Sequence, residues 1–225
     1  MKIILFGASG MIGQGALQAA LQDPNVTKVV CVVRAATGQS HLKLHEIVVP
    51  DLFALDKIQD IKTRDVLSNC DACLFCVGVS SADLDEPIYT KMTYDLTLSV
   101  AENLLPLNPN MTFIYVSGAG TDTTEKGPFM WARVKGKLEN ALLKMPFKAA
   151  YMFRPGAIQP LDGIKSKVGW YNVLYSVLAP ISPLMVRYLP QYVTTTRVMA
   201  RAMLKVARDG YDKRVLESVD INALS

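Results

Sequence analysis

Residues 2–15 read KIILFGASGMIGQG, and the fold turns on how that stretch is understood. Ile3-Ile4-Leu5-Phe6 is a short apolar run of the kind that forms a strand buried on both faces. Gly7, Gly10 and Gly13 follow at G-x-x-G-x-x-G spacing, and from Met11 onward small and apolar side chains recur at helical intervals. A strand, a glycine turn and a helix amino terminus in immediate succession make a seat for a diphosphate. N–H groups and the positive end of the helix dipole face the anion across Gly7-Ala8-Ser9-Gly10-Met11-Ile12, and the absent glycine side chains let it reach the backbone. A glycine pattern alone says little. Its place directly after a strand and before a helix is the context that the motif requires.

The rest of the chain repeats that alternation. Apolar runs at 28–33, 47–49, 72–77, 112–116 and 149–153 read as buried strands. Between them, 53–65 reads as a short, poorly defined helix, 86–105 as a long one capped by Asp85, and 129–145 as another stopped by Pro146. A last helix starts at Thr194, Thr195 or Thr196, runs to Arg208 and closes at Gly210. Strand–helix alternation of this kind signals an α/β protein of Rossmann type, a doubly wound parallel sheet with helices on both faces. No repeat, linker or low-complexity segment interrupts it. One domain over 1–225 is the expectation, with a small substrate-side extension at its carboxyl end.

A chain of 225 residues, half hydrophobic and one fifth charged, buries a full core. Its net charge of +4 suits an anionic ligand and is too diffuse for nucleic acid. Met1-Lys2 runs straight into the first strand with no secretory h-region, so a cytoplasmic location is expected. Cys70-x-x-Cys73-x-x-Cys76 superficially resembles a metal spacing. A strand over 72–77 would send Cys73 and Cys76 to opposite faces, so the cysteines are read as core residues and no metal is expected. His41 and His45 are read as surface residues of a loop.

Ligands of such sheets lie beyond the carboxyl ends of the strands. That rule selects the glycine turn, Arg34, Asp51-Leu52, Cys76-Val77-Gly78, Ser117 and Pro155-Gly156 with Ile158. About twenty residues past the glycines, NAD-binding chains place an acid for the ribose 2′-hydroxyl. Arg34 stands there instead, which favours a 2′-phosphate and hence NADP(H) over NAD(H), with Ser9 as a second donor. A solvated strand-end charge is the alternative for Arg34. Asp51 is placed either to accept from an adenine amino group or simply to cap a turn.

These residues resemble the short-chain dehydrogenase/reductase superfamily, in its extended and atypical branches, and are similar to the Tat-interacting oxidoreductase-like and NmrA-like groups. GASGMIG, Asp51-Leu52, Ser117, the lysine of Trp131-x-x-x-Lys135 and Arg154-Pro155-Gly156 match in order over residues 2 to 160. The resemblance implies a Rossmann sheet with NADPH across the strand ends, a catalytic Ser117, and Lys135 on the cofactor ribose. It also implies that Pro155-Gly156-Ala157-Ile158 meets the nicotinamide carboxamide through backbone groups. The catalytic tyrosine of the family is Trp131 here, and indole donates a hydrogen bond without ionising. Asp122, Tyr89 and Tyr94 are the candidate replacements, and for Ser117 a purely local turn role is equally open.

Three functions follow in order: an NADP(H) oxidoreductase acting on a small apolar carbonyl or hydroxyl compound, a non-catalytic NADP(H) sensor or scaffold, and an NAD(P)-dependent epimerase or dehydratase. The segment 171–190 is strongly apolar with Arg187 as its one charge, but Pro180 and Pro183 break it. It falls short of an uninterrupted span of about 18 apolar residues, so no membrane crossing is expected. A substrate lid over 157–192 is the first reading, with a homodimer face or a surface that touches lipid as the alternatives.

Overall fold

The computed structural model describes residues 1–57, 61–82, 84–164 and 189–224. Seven parallel strands form one sheet in the order β3-β2-β1-β4-β5-β6-β9: β1 Lys2–Phe6, β2 Lys28–Val33, β3 Leu44–Val48, β4 Ala72–Phe75, β5 Thr112–Val116, β6 Ala149–Arg154 and β9 Val215–Glu217. The order reverses beside β1. Its partners are β2 on one side, with Ile4 opposite Val30, and β4 on the other, with Ile4 opposite Cys73. A two-stranded parallel ribbon, β7 Ala157–Gln159 and β8 Val193–Thr195, stands apart from the sheet.

The central strands are apolar throughout because both faces are covered. Ile3, Leu5, Val29, Cys31, Leu74 and Ile114 face one layer, built by α1 (Met11–Gln22) and two carboxyl-terminal helices labelled below. Ile4, Phe6, Val30, Cys73, Phe75 and Phe113 face the other. There the helices are α2 (Ile61–Leu67), α3 (Glu86–Thr90), α4 (Leu96–Leu104) and α5 (Met130–Lys144). Phe6, Phe75, Phe113 and Phe147 form a continuous aromatic row through this layer, with centroid separations of 5.4, 6.1 and 5.2 Å.

Several expectations shift by a few residues. The long helix expected over 86–105 is broken by a π-helical turn, Lys91–Asp95, between α3 and α4. Asp85 caps it as expected, accepting from the Ile88 N–H at 2.9 Å. β4 ends at Phe75, two residues early, which frees Cys76 and Val77 to form the floor of a turn. His45 lies within β3 rather than in a loop, and it is still exposed because β3 is the edge strand. Thr195 proves to be the cap of α6 (Thr196–Asp209), its hydroxyl accepting from the Val198 N–H at 3.1 Å. β9 and α7 (Ser218–Ala223) had no expectation attached to them.

Cys73 packs in one layer and Cys76 against the other, and no cluster that could hold a metal occurs among the described residues. Burial pushes the thiol of the partly buried Cys76 up to about 12, so it stays protonated at neutral pH. No helix of the described residues is long and apolar enough to cross a membrane. The lid expected over 157–192 falls, for 165–188, outside the described residues.

One buried ion pair ties α5 to the sheet. Glu139 is fully buried, and the Arg154 guanidinium donates to it at 2.5 and 3.0 Å while reaching Glu217 at 3.3 Å. Arg154→Met would strand the Glu139 charge, so a loss of roughly 3–5 kcal/mol is expected in urea unfolding. Arg154→Met combined with Glu139→Leu should recover most of that loss, since the cost lies in the unpaired charge.

Candidate active site

Of the three motif glycines, two serve the fold. Gly7 has φ +81°, and a Cβ there would lie 2.7 Å from the Cys76 backbone. A Cβ on Gly13 would lie 2.0 Å from the Gly7 carbonyl oxygen, so helix α1 sits against the turn as closely as backbone allows. Gly10 differs. It has ordinary extended geometry (φ −85°, ψ 165°), and its Cβ would meet only the Gly7 carbonyl oxygen, at 3.3 Å. Gly10 caps α1 and offers no side-chain acceptor, and the first turn holds no acid. The amino terminus of α1 therefore presents an unneutralised positive pole.

That pole opens on a cleft of about 460 Å³ at the strand ends. Gly7, Ala8, Ser9 and Gly10 form one wall, Arg34, Asp51 and Leu52 another, and Cys76, Val77 and Gly78 the floor. The structure thus brings these ten sequence-selected residues together. Met11 and Ile12 continue from the wall into the first turn of α1. Arg34 is exposed at the rim and has no carboxylate within ion-pair distance among the described residues. The loop behind it is anchored by Glu46, which accepts from the Thr37 N–H at 3.1 Å and from its hydroxyl. Asp51 uses one oxygen to accept from the Phe53 N–H at 3.0 Å, which leaves the other for a second partner. Met92 and Leu96 close the cleft from the π turn and α4. Only tertiary packing brings them there, and no sequence signal marks them.

The second half of the expected site gathers around β5 and α5. Gly136 lets α5 pack directly on the loop after β5, because a Cβ there would lie 1.7 Å from the Asp122 carbonyl oxygen. Trp131 lies edge-on to Gly120, with 3.3 Å between its ring and a Cβ built there. One turn on, Lys135 donates to the backbone carbonyl of Ser117. The Ser117 hydroxyl is buried and donates to the Phe153 carbonyl at 3.2 Å, a bond across to the neighbouring strand β6 and not to its own turn. Burial pulls the Lys135 ammonium down to about 8, and the Glu139 carboxylate, one further turn along α5, partly offsets this.

None of the candidate proton donors reaches this point in a usable form. Asp122 accepts from the Thr124 hydroxyl at 2.6 Å, from the Gly127 N–H at 2.6 Å, and from two more N–H groups. The Thr124 hydroxyl first, then those amides, hold its carboxyl below the usual range, so it stays ionised at neutral pH. Tyr89 is buried, which raises its phenol. Tyr94 lies under Lys137 at 4.6 Å, and residue 137 points away from the Lys135 face of α5. The loop 155–158 is internally committed as well. The Pro155 carbonyl accepts from the Ala119 N–H at 2.8 Å, the Gly156 N–H donates to the Ser218 hydroxyl at 2.7 Å, and Ile158 pairs with Thr194 in the β7–β8 ribbon.

With this geometry in hand, comparison places the chain. The model of the NAD dependent epimerase/dehydratase family matches residues 3–127, from β1 through the loop after β5. The protein FMP52, mitochondrial, of Candida albicans is 25% identical over 160 residues, covering 70% of this chain and 67% of its own length. The leucinostatins biosynthesis cluster protein T of Purpureocillium lilacinum is 27% identical over 175 residues, covering 75% of this chain and 62% of its own length. This chain thus spans only about two thirds of either relative. In overall shape it is similar to a short-chain dehydrogenase/reductase from Saccharomyces cerevisiae, with a TM-score of 0.69 at 15% identity over 100% of this chain and 99% of that one.

The comparison corrects one expectation. FMP52 proteins from Candida albicans, Meyerozyma guilliermondii, Emericella nidulans and Saccharomyces cerevisiae are mitochondrial, which conflicts with a cytoplasmic location. A secretory h-region is a signal for export, and it says nothing about mitochondria.

The depressed Lys135 has a measurable consequence. Its folded-state value of about 8 lies below the ordinary lysine value of 10.5, so between them the unfolded chain binds more protons. The penalty for burying the ammonium is fully present below pH 8 and is relieved as pH rises from about 8 to 10.5. Urea unfolding from pH 7 to 10 should show wild type gaining stability relative to Lys135→Met. Parallel pH dependences would contradict the burial of that charge.

Proposed function

The chain belongs to the NAD dependent epimerase/dehydratase family, and on that premise we propose that it binds NADP(H) and transfers hydride to or from a small, apolar carbonyl or hydroxyl compound. The observation that carries the reading is the cleft at the strand-order reversal, with a helix amino terminus that lacks a side-chain cap at one end and Arg34 at the other. The residues present fit a dinucleotide. The backbone of Gly7 to Ile12 would hold the diphosphate, Arg34 and Ser9 the 2′-phosphate, Asp51 and Leu52 the adenine, and Val77 and Gly78 the strand-end side of the ribose. The preference for NADP(H) over NAD(H) rests on Arg34 standing where an acid would otherwise be.

When bound, the nicotinamide supplies or takes the hydride. The chain's own residues do the rest. Lys135 brings a cation to the ribose side, and its bond to the Ser117 carbonyl fixes the β5 loop that carries Gly120. Trp131 covers that loop, supplying an apolar wall and one N–H donor for a carbonyl oxygen. Without a phenol at position 131, proton transfer falls to water or to Lys135, whose value near 8 suits exchange close to neutral pH.

A second reading is favoured by Trp131 itself, together with the backbone-bonded Ser117: a protein that binds the dinucleotide without turnover. Two measurements separate and test these. Arg34→Gln should lose about ten- to a hundredfold in NADPH affinity by calorimetry while NADH affinity changes little. Equal losses for both cofactors would remove the basis for NADP(H) preference. Trp131→Tyr restores the phenol, worth about a hundred- to ten-thousandfold in rate. Hydride transfer across a carbonyl panel by the wild type supports the enzyme. Activity appearing only in Trp131→Tyr shows that the natural protein is the binder.

A further inference from the structure

A larger groove, about 790 Å³, shares no lining residue with the dinucleotide cleft. It runs between α1 and α6 on the opposite layer of the molecule. From α6 come Arg197, Arg201, Lys205 and Arg208, four cations on one helix face over a length of about 16 Å. From α1 come Gln18 and Gln22, and α1 itself, MIGQGALQAALQ, contains no charged residue at all. A basic helix face is thus met by a helix that offers amide donors and, apart from Asp23 at its end, no counter-charge.

The two ends of the row are neutralised and the middle is not. Arg197 pairs with Asp162, and Arg208 pairs with Asp209 at 2.9 Å and Asp23 at 3.9 Å. Arg201 and Lys205 have no carboxylate within 4.0 Å among the described residues, and Asp162 and Asp209 feel them only from beyond that distance. Four residues apart, these like charges repel across one turn of helix. The helix dipole accounts for cations in the last turn of α6. It does not account for Arg201, which lies in the amino-terminal half. Among the described residues, the middle of the groove holds no anion.

We propose that this groove binds a phosphate-bearing small molecule, its anionic group held between Arg201 and Lys205 and its remaining oxygens reached by the Gln18 and Gln22 amides. The volume suits a small-molecule ligand, and the acids at both ends confine negative charge to the centre. A bilayer is the weaker occupant. Three carboxylates cancel most of the four cations, and attraction to anionic lipid grows with the basic residues left unpaired at the surface. A guanidinium and an ammonium flanked by amide donors match the several acceptor oxygens of one phosphate group. The inference stands apart from the dinucleotide reading, because it uses none of that cleft's residues.

The test is a chemical-shift titration of the ¹⁵N-labelled protein with inorganic pyrophosphate, which reports the groove and the glycine turn separately. Saturable shifts are expected at the Gln18 and Gln22 side-chain amides and along α6. In Arg201→Gln with Lys205→Gln the apparent affinity read from those signals should fall at least about tenfold, while shifts across Gly7 to Ile12 are unchanged. Both positions are exposed and glutamine is a good helix former, so the fold should persist. An unmoved spectrum at the glycine turn and core confirms that it does. Arg201→Lys, which keeps the charge, should restore part of the affinity. Groove signals that fail to shift, or that shift equally in the double variant, would overturn the proposal. So would a double-variant defect seen only in cosedimentation with phosphatidylglycerol vesicles, which would assign the face to membrane contact.

Discussion

The arrangement depends on a contact with no room in it. The Gly7 turn passes so close to the Cys76–Val77 backbone, and Gly13 so close to Gly7, that neither glycine can carry a side chain. This fixes α1 to β1 and β4 at the shortest distance backbones allow, and so fixes where the amino terminus of α1 points. The cleft follows from that. β1 lies between β2 and β4, where the strand order reverses, and the loops that leave β1 and β4 diverge from it on either side of the helix pole. Burial on both faces of the sheet supplies most of the driving force, but it would do so in many registers. The glycine contacts choose among them.

A second constraint holds the other half of the site. Glu139, Lys135 and Trp131 succeed one another every four residues along one face of α5. The first is locked to Arg154 at the end of β6, the second bonds the Ser117 carbonyl at the end of β5, and the third packs over Gly120. The helix is thereby tied to the ends of two adjacent strands, with the Glu139 charge fully buried and Lys135 and Arg154 partly so. Glu139 also sets the field at Lys135, keeping the ammonium from falling further than burial alone would drive it.

The alternation of strands and helices was legible because strands buried on both faces leave continuous apolar runs, and seven residues of glycine turn say what joins two of them. The cleft residues from Gly7 to Gly78 could be chosen in advance because the strand-end rule converts a list of strands into a list of positions. Other features were not legible. Met92 and Leu96 reach the cleft from a π turn and the start of α4 through tertiary packing, and nothing in KMTYD announces that turn. β9 and α7 are short and their apolar content is too low to show periodicity. Arg154 was read as part of a loop motif, whereas its partner Glu139 lies 15 residues away and carries no local sign of burial. The backbone groups of 155–158 looked available for a ligand, yet Ser218, far along the chain, satisfies one of them. Long-range partners of polar groups are the part that sequence withholds.

Gly10 gives the account its sharpest test. It is the motif glycine with no positive φ and the mildest contact, a Cβ at 3.3 Å from the Gly7 carbonyl oxygen, so the proposed diphosphate over the helix terminus is what most needs its lack of a side chain. Aspartate is a favoured helix cap, so Gly10→Asp should keep or raise stability while placing a negative charge where the phosphates would lie. Calorimetric titration of that variant with NADPH, alongside a thermal unfolding curve, reads both at once. The account predicts an unchanged or higher melting temperature with NADPH binding abolished. A stable Gly10→Asp protein that binds NADPH as the wild type does would contradict it, because the diphosphate could not then lie on this helix.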